Sequence, residues 1–410
     1  MNDSHIDSAG EGSRRHFLKT AVAAGTAAAA ASTADVAHAQ APAAANVPTV
    51  TLGKTGQKVS ILGMGTSWDV APSFVQTALK SGVTYIDTSE TYENGKSESR
   101  LGAVLQQTGM RKDVYLVTKN ARSKAGGPSA FGRYEARLNK SLERLKTDYV
   151  DCYYLHGVEG REIPLFSDPD VKAAFEKLKK SGKIRFAGLS CHDRMLPEIV
   201  TAAAECGWID QIMIQYNYRT MPVDNVKRAL DAAAKANLGV VAMKTQAEGG
   251  ASPFKEGPSP KFQEFVDKGS TRPAAAIKTV FSDHRVHAVV SEMTNRDMLR
   301  ENIDASRDHK LTLRERTLLE EYRLATSHLY CHGCGHHCEP AAGGIAIADT
   351  LRFLRYHEAY GKRQRASELF HELPADARDL ARADLAAAEA ACPHGLPIVE
   401  LIHRAHRTMG

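Results

Sequence analysis

The sequence predicts an α/β fold: a closed (β/α)8 TIM barrel joined to a small α-helical, cysteine-rich C-terminal domain. Three observations carry this. From about Val59 to Val290, short β-rich runs alternate with amphipathic helical patterns, giving eight βα units in a stretch of about 250 residues, the length such a barrel needs. No Gly-x-Gly-x-x-Gly turn follows the first strand, which counts against the alternative, a doubly wound open sheet. Beyond Leu311 the strand signal stops, and four of the seven cysteines fall in the last eighty residues.

Along the chain, residues 1–39 read as an export signal. Ser13-Arg14-Arg15-His16-Phe17-Leu18-Lys19 is a twin-arginine run, Ala21–Ala31 is weakly apolar, and Ala37-His38-Ala39 offers a signal peptidase its small residues. That apolar run is shorter than the roughly 20 residues that span a bilayer, so no stable membrane span is expected. Residues 40–48 are a linker and 49–310 the barrel. Val50–Leu52 and Gln57–Ser60 flank Gly53-Lys54-Thr55-Gly56 as a hairpin suited to plugging the barrel bottom. Strands are expected at Ser60–Gly63, Thr84–Asp87, Val114–Thr118, Tyr149–Leu155, Ile184–Leu189, Gln211–Tyr216, Gly239–Met243 and Val286–Val290, with helices between them. Residues 311–410 are expected to be helical, at Ile345–Tyr360, Ala366–Glu372 and Ala377–Ala391 and in a helix reaching Tyr330. The net charge of +5 is spread thinly, with no basic run interleaved with aromatics, so nucleic acid is not an expected partner.

Chemistry in such a barrel gathers at the carboxyl ends of the strands. Asp87 closes the second strand, Tyr92 follows it, Lys119 closes the third and His156 the fourth. Together they suit carbonyl reduction. Tyr92 donates the proton, Lys119 lowers its pKa, Asp87 holds Lys119, and His156 orients the carbonyl oxygen. Taken singly, each has an ordinary structural reading as a loop cap, a solvated lysine or a core histidine.

Gly82-Val83-Thr84-Tyr85-Ile86-Asp87-Thr88-Ser89-Glu90-Thr91-Tyr92, Val117-Thr118-Lys119 and Asp148–His156 resemble the aldo/keto reductase superfamily over about Leu52 to Ala305. The resemblance implies a barrel, a nicotinamide cofactor and the tetrad Asp87, Tyr92, Lys119 and His156. It also implies cofactor contacts from Ser190, Gln215, Met293, Thr294, Arg296 and Asn302. Four positions depart from the family pattern. Cys191 stands for the usual asparagine, Met213 for the strand-six glutamine, and Glu292 and Met298 for a basic residue and an arginine that in many members grip the 2′-phosphate of NADPH. Arg296 or Arg300 can take that last role, so NADPH is expected, with NADH as the alternative.

Cys331-His332-Gly333-Cys334-Gly335-His336-His337-Cys338 gives C-x2-C-x3-C, and Cys392-Pro393 adds a remote fourth cysteine. The set resembles a reduced ferredoxin-like extension and implies one [4Fe–4S] cluster on Cys331, Cys334, Cys338 and Cys392. Zinc is the alternative, because histidines are interleaved, and a disulfide is the plain structural one. Cys152, Cys191 and Cys206 read as buried thiols.

The expectation is therefore a periplasmic oxidoreductase, exported with the twin-arginine translocon as a transient partner, that moves a hydride between NAD(P)H and a small aldehyde or ketone. Two alternatives stand beside it: an iron–sulfur enzyme that exchanges electrons with a redox partner protein, and a binding module whose cofactor site has decayed.

Overall fold

The computed structural model describes residues 47–410 except 70, 121–125, 248–270, 328–329 and 359–360. The expected export signal, residues 1–39, lies outside the described residues. Two short strands, β1 (Thr49–Thr51) and β2 (Lys58–Ser60), pair antiparallel as the expected hairpin. Its turn reaches the barrel closely: Lys54 N–H donates to Asn237 O (2.6 Å), and a Cβ on Gly53, at φ +45°, would lie 2.5 Å from Gly239 N.

Eight parallel strands follow: β3 (Leu62–Gly65), β4 (Tyr85–Asp87), β5 (Tyr115–Asn120), β6 (Val150–Leu155), β7 (Ile184–Cys191), β8 (Gln211–Gln215), β9 (Gly239–Met243) and β10 (Ala288–Ser291). They close in the order β10-β3-β4-β5-β6-β7-β8-β9. Parallel strands covered on both faces call for continuous apolar runs, and Val150–Leu155 is buried at every position.

The outer ring holds α1 (Pro72–Lys80), α2 (Lys96–Thr108), α3 (Ala130–Leu145), α4 (Pro169–Lys180), α5 (Leu196–Glu205), α6 (Asp224–Lys235), α7 (Arg272–Phe281) and α8 (Arg296–Arg307). Inside the barrel, Gln211 ties three tyrosines together. Its amide donates to the hydroxyls of Tyr85 (2.7 Å) and Tyr154 and accepts from that of Tyr115 (2.7 Å). A buried polar group is tolerated only when satisfied in this way.

Beyond the barrel run α9 (Leu313–Ala325), the short α10 (Cys338–Ala341), α11 (Ile347–Glu358), α12 (Arg363–Glu372), α13 (Leu385–Ala390) and α14 (Ile398–Met409). The last five share their own apolar core, which includes Leu351, Phe353, Phe370, Leu401 and Ile402. α9 instead packs Leu318, Leu319 and Tyr322 against Ala275 and Ala276 of α7. Arg219, 1% exposed, fastens this region by donating to Thr326 Oγ1 (2.7 Å) and Arg323 O (3.3 Å).

Candidate active site

The mouth of the barrel gathers the predicted tetrad. Lys119 is 1% exposed, and its Nζ lies 2.6 Å from the Asp87 carboxylate, 2.7 Å from Thr88 O and 3.2 Å from Tyr92 Oη. His156 stands edge-on to the Tyr92 ring (5.7 Å between centroids, 82°), and its Nδ1 pairs with Ser89 Oγ at 2.9 Å.

Local structure sets these positions. Glu93 and Asn94, directly after Tyr92, are both left-handed (φ 49° and 55°), and Arg100 pins Glu93 at 2.6 Å. Non-glycine residues pay a conformational cost for that backbone, and such strain gathers at functional sites. Glu98, fully buried on α2, accepts from Thr118 Oγ1 (2.5 Å) and Arg144 Nε (2.6 Å), which fixes β5 beside Lys119.

Burial raises the Tyr92 pKa well above that of a free phenol, and the charges of Asp87, Glu292 and Tyr356 add to it. Burial also pulls Lys119 down, with the Asp87 charge opposing. Burial likewise raises the Asp87 carboxyl, against the pull of Lys119. Tyr92 is therefore held protonated, as a donor.

The predicted cofactor residues separate into two groups. Ser190, at the end of β7, is buried and accepts the Gly157 N–H (2.9 Å), and Gln215 closes β8 half-buried. Two strands further round the barrel from Gln215, Thr294 and Arg296 are exposed where α8 begins after β10, with Asn295 as its N-cap. The Met293 side chain is instead part of the main core, and Asn302, also buried, donates to Ser291 Oγ (2.9 Å). Those two support the loop from within. Met213 is buried in the barrel interior and Cys191 in the main core. Glu292 is not bare: it accepts from Ser67 Oγ and lies 3.5 Å from Lys362 Nζ, which also donates to Ser67 (2.7 Å).

Lys362 belongs to a set of C-terminal groups over the mouth that the sequence reading missed. Tyr356 Oη is 2.6 Å from Lys244 Nζ, and Arg352 Nη1 is 2.5 Å from His192 Nδ1. Glu339 pairs with Arg194 at 3.2 Å. These partners stand 112, 160 and 145 residues apart, and no local spacing links them.

Cys331, Cys334, Cys338 and Cys392 line one cavity, with Ile347, Leu351, Leu396 and Ile398 among its apolar walls. All four are free thiols, and burial pushes Cys331 and Cys338 up to about 12. Gly333 (φ 79°) and Gly395 (φ 64°) supply left-handed turns beside them. Among the described residues, no three His, Cys, Asp or Glu side chains converge so as to hold a single metal ion. No helix among the described residues is long and apolar enough to cross a membrane.

Comparison with known proteins agrees with the barrel geometry. The sequence profile of the aldo/keto reductase family matches residues 64–322. An uncharacterized oxidoreductase of Bacillus subtilis is 27% identical over 285 residues, spanning 64% of this chain and 90% of that protein. A methylglyoxal reductase of Escherichia coli is 40% identical over 116 residues, 28% of this chain and 37% of that protein. A solved thermostable aldo-keto reductase superposes with a TM-score of 0.53 at 26% identity, over 67% of this chain and 99% of the other. The family match spans more than half of the sequence, and this chain belongs to the aldo/keto reductase family.

Proposed function

We infer that the chain is an NAD(P)H-dependent oxidoreductase acting on a small aldehyde or ketone, with Tyr92 as proton donor. The observation that carries this is Lys119, buried between Asp87 and Tyr92 at the ends of β4 and β5. Reduced nicotinamide, when bound, supplies the hydride to the carbonyl carbon. The residues do the rest. Tyr92 donates its proton to the carbonyl oxygen as negative charge develops there, and Lys119 stabilises the phenolate left behind. Asp87 holds Lys119 in place, and His156, fixed by Ser89, orients the carbonyl.

NADPH is the favoured nucleotide, because Lys362 and Ser67 already partner Glu292 while Arg296 stays exposed at the start of α8. Tyr92→Phe should lower kcat by roughly 100- to 10,000-fold while NADPH titration still shows binding. Wild-type turnover by the variant would remove Tyr92 from the chemistry.

The cysteine cavity supports a [4Fe–4S] cluster on Cys331, Cys334, Cys338 and Cys392, which when bound supplies one-electron transfer. Sulfurs arranged around a cavity suit a multi-iron cluster, whereas zinc needs its ligands to meet at one point. Iron and acid-labile sulfide assays on anaerobically purified protein, repeated on Cys392→Ala, test this; zinc alone in the wild type would replace it. A cluster also supports the second reading, electron exchange with a redox partner. The twin-arginine sequence at Arg14 and Arg15 supports export to the periplasm. Fractionation of cells expressing the wild type and Arg14→Lys/Arg15→Lys tests that, and equal distribution of the two would refute it.

A further inference from the structure

The roof that α11 lays over the mouth carries more cation than the tetrad uses. Lys244 follows β9 in a left-handed backbone (φ 55°), its carbonyl held by Asn217 Nδ2 (3.1 Å). Its Nζ bonds the Tyr356 hydroxyl, and among the described residues no carboxylate lies within ion-pair distance of it. Arg352 is bound on one side only: Nη1 reaches His192 Nδ1 and O, Nη2 reaches Asp349 (2.6 Å), and Nε is buried without a hydrogen-bond partner. A half-buried ammonium without a carboxylate partner, beside a half-buried guanidinium with one orphaned N–H, makes a local excess of positive charge that an anion would neutralise. The cluster borders the tetrad, for the His192 ring that Arg352 holds brings its Nε2 within 4.0 Å of the Cβ position of Gly157, the residue after His156. Burial alone would raise the Tyr356 phenol, yet Lys244 and Arg352 hold it below its usual value, the mark of a positive field at this end of the barrel.

We propose that Lys244, Arg352 and Tyr356 form an anion site that binds the carboxylate of the carbonyl substrate, so that the enzyme reduces oxo acids. This rests on the hydride-transfer reading above. In the balanced reaction the oxo carbon gains the hydride and its oxygen the Tyr92 proton, giving a hydroxy acid and the oxidised nucleotide. The other anion available is the nucleotide's phosphate. The start of α8, with exposed Thr294 and Arg296, follows β10, and Lys244, after β9, borders it, whereas Arg352 sits over His192 at the end of β7, next to β6, after which His156 stands. The position of Arg352 thus favours the substrate's anion.

The test compares phenylglyoxylate with its methyl ester, which keeps the ketone and removes the charge. The wild type should favour the acid, and Lys244→Met/Arg352→Met should lower the acid-to-ester ratio of kcat/KM about 30-fold. Tyr356→Phe, which deletes one hydroxyl, should lower it about 5-fold and serves if the double variant does not fold. A wild-type ratio at or below one, or a ratio unmoved by either variant, overturns the site. A loss of NADPH affinity as large as the loss of ratio would hand the cations to the nucleotide's phosphates and overturn it equally. Calorimetric titration with phenylacetate needs no turnover. If neither ketone is reduced, the hydride-transfer reading fails, and phenylacetate binding that weakens in the variants still supports the anion site. No phenylacetate binding by the wild type refutes it.

Discussion

Lys119→Met should destabilise the protein by about 3–5 kcal/mol, because it leaves Asp87 buried without its cation. Asp87 is 3% exposed, its carboxylate lies 2.6 Å from Lys119, and the charge of Glu292 already opposes its ionisation. Asp87→Asn/Lys119→Met removes both charges and should recover about 2 kcal/mol relative to the sum of the single variants. Urea unfolding with constant m-values measures all four species. The sign with pH follows from linkage. The folded-state pKa of Asp87 is raised even beside Lys119, and loss of the cation raises it further. The folded variant therefore binds a proton more tightly than the unfolded chain, so its stability is greatest in acid and falls as pH rises through that pKa, by up to about 1.4 kcal/mol per pH unit. A cost below about 1 kcal/mol, or strictly additive single substitutions, would show that Asp87 and Lys119 are not the coupled buried pair described here.

Three further outcomes are expected. Gly102→Ala would put a Cβ 2.3 Å from Arg144 O where α2 crosses α3, and should cost about 1–3 kcal/mol in urea unfolding; a neutral result would mean the helices part freely. His287, whose pKa burial lowers, stabilises the fold fully above its unfolded pKa and loses that contribution as pH falls below about 6.5. His287→Gln should thus flatten the acid loss of stability by up to about 1.4 kcal/mol per pH unit, and an unchanged slope from pH 6.5 to 5 would contradict this. Arg219→Met, which strips the donors reaching Thr326 and Arg323, should speed amide hydrogen exchange in α9, whereas unchanged protection would place the anchor elsewhere.

The βα alternation was readable because each strand is a continuous apolar run, and β9 falls at Gly239–Met243 as expected. β3 begins at Leu62 and not at Ser60, since Ser60 belongs to the bottom hairpin and its hydroxyl accepts the N–H groups of Thr84 and Tyr85. In the C-terminal region, the helix expected at Ala377–Ala391 is cut to Leu385–Ala390. Asp379 and Asp384 spend their side chains on nearby backbone N–H groups, a local bond that competes with helix. Helix α14 went unread although Ile398, Leu401, Ile402, Ala405 and Met409 mark one buried face. The tetrad was legible because barrel topology fixes where strand ends meet. The roof was not, because Lys244, Arg352 and Tyr356 meet only through tertiary packing between regions more than 100 residues apart.

Leu351 and Arg352 are neighbours on α11, one walling the cysteine cavity and the other reaching His192 over the catalytic mouth. A helix turns about 100° per residue, so these two faces have a fixed angular phase. Deleting or inserting one residue between Leu351 and Tyr356 would swing Tyr356 away from Lys244 while the cavity wall stayed in place. The spacing of this helix is therefore a ruler shared by two sites, and a length change of the kind surface loops absorb would here put them out of step.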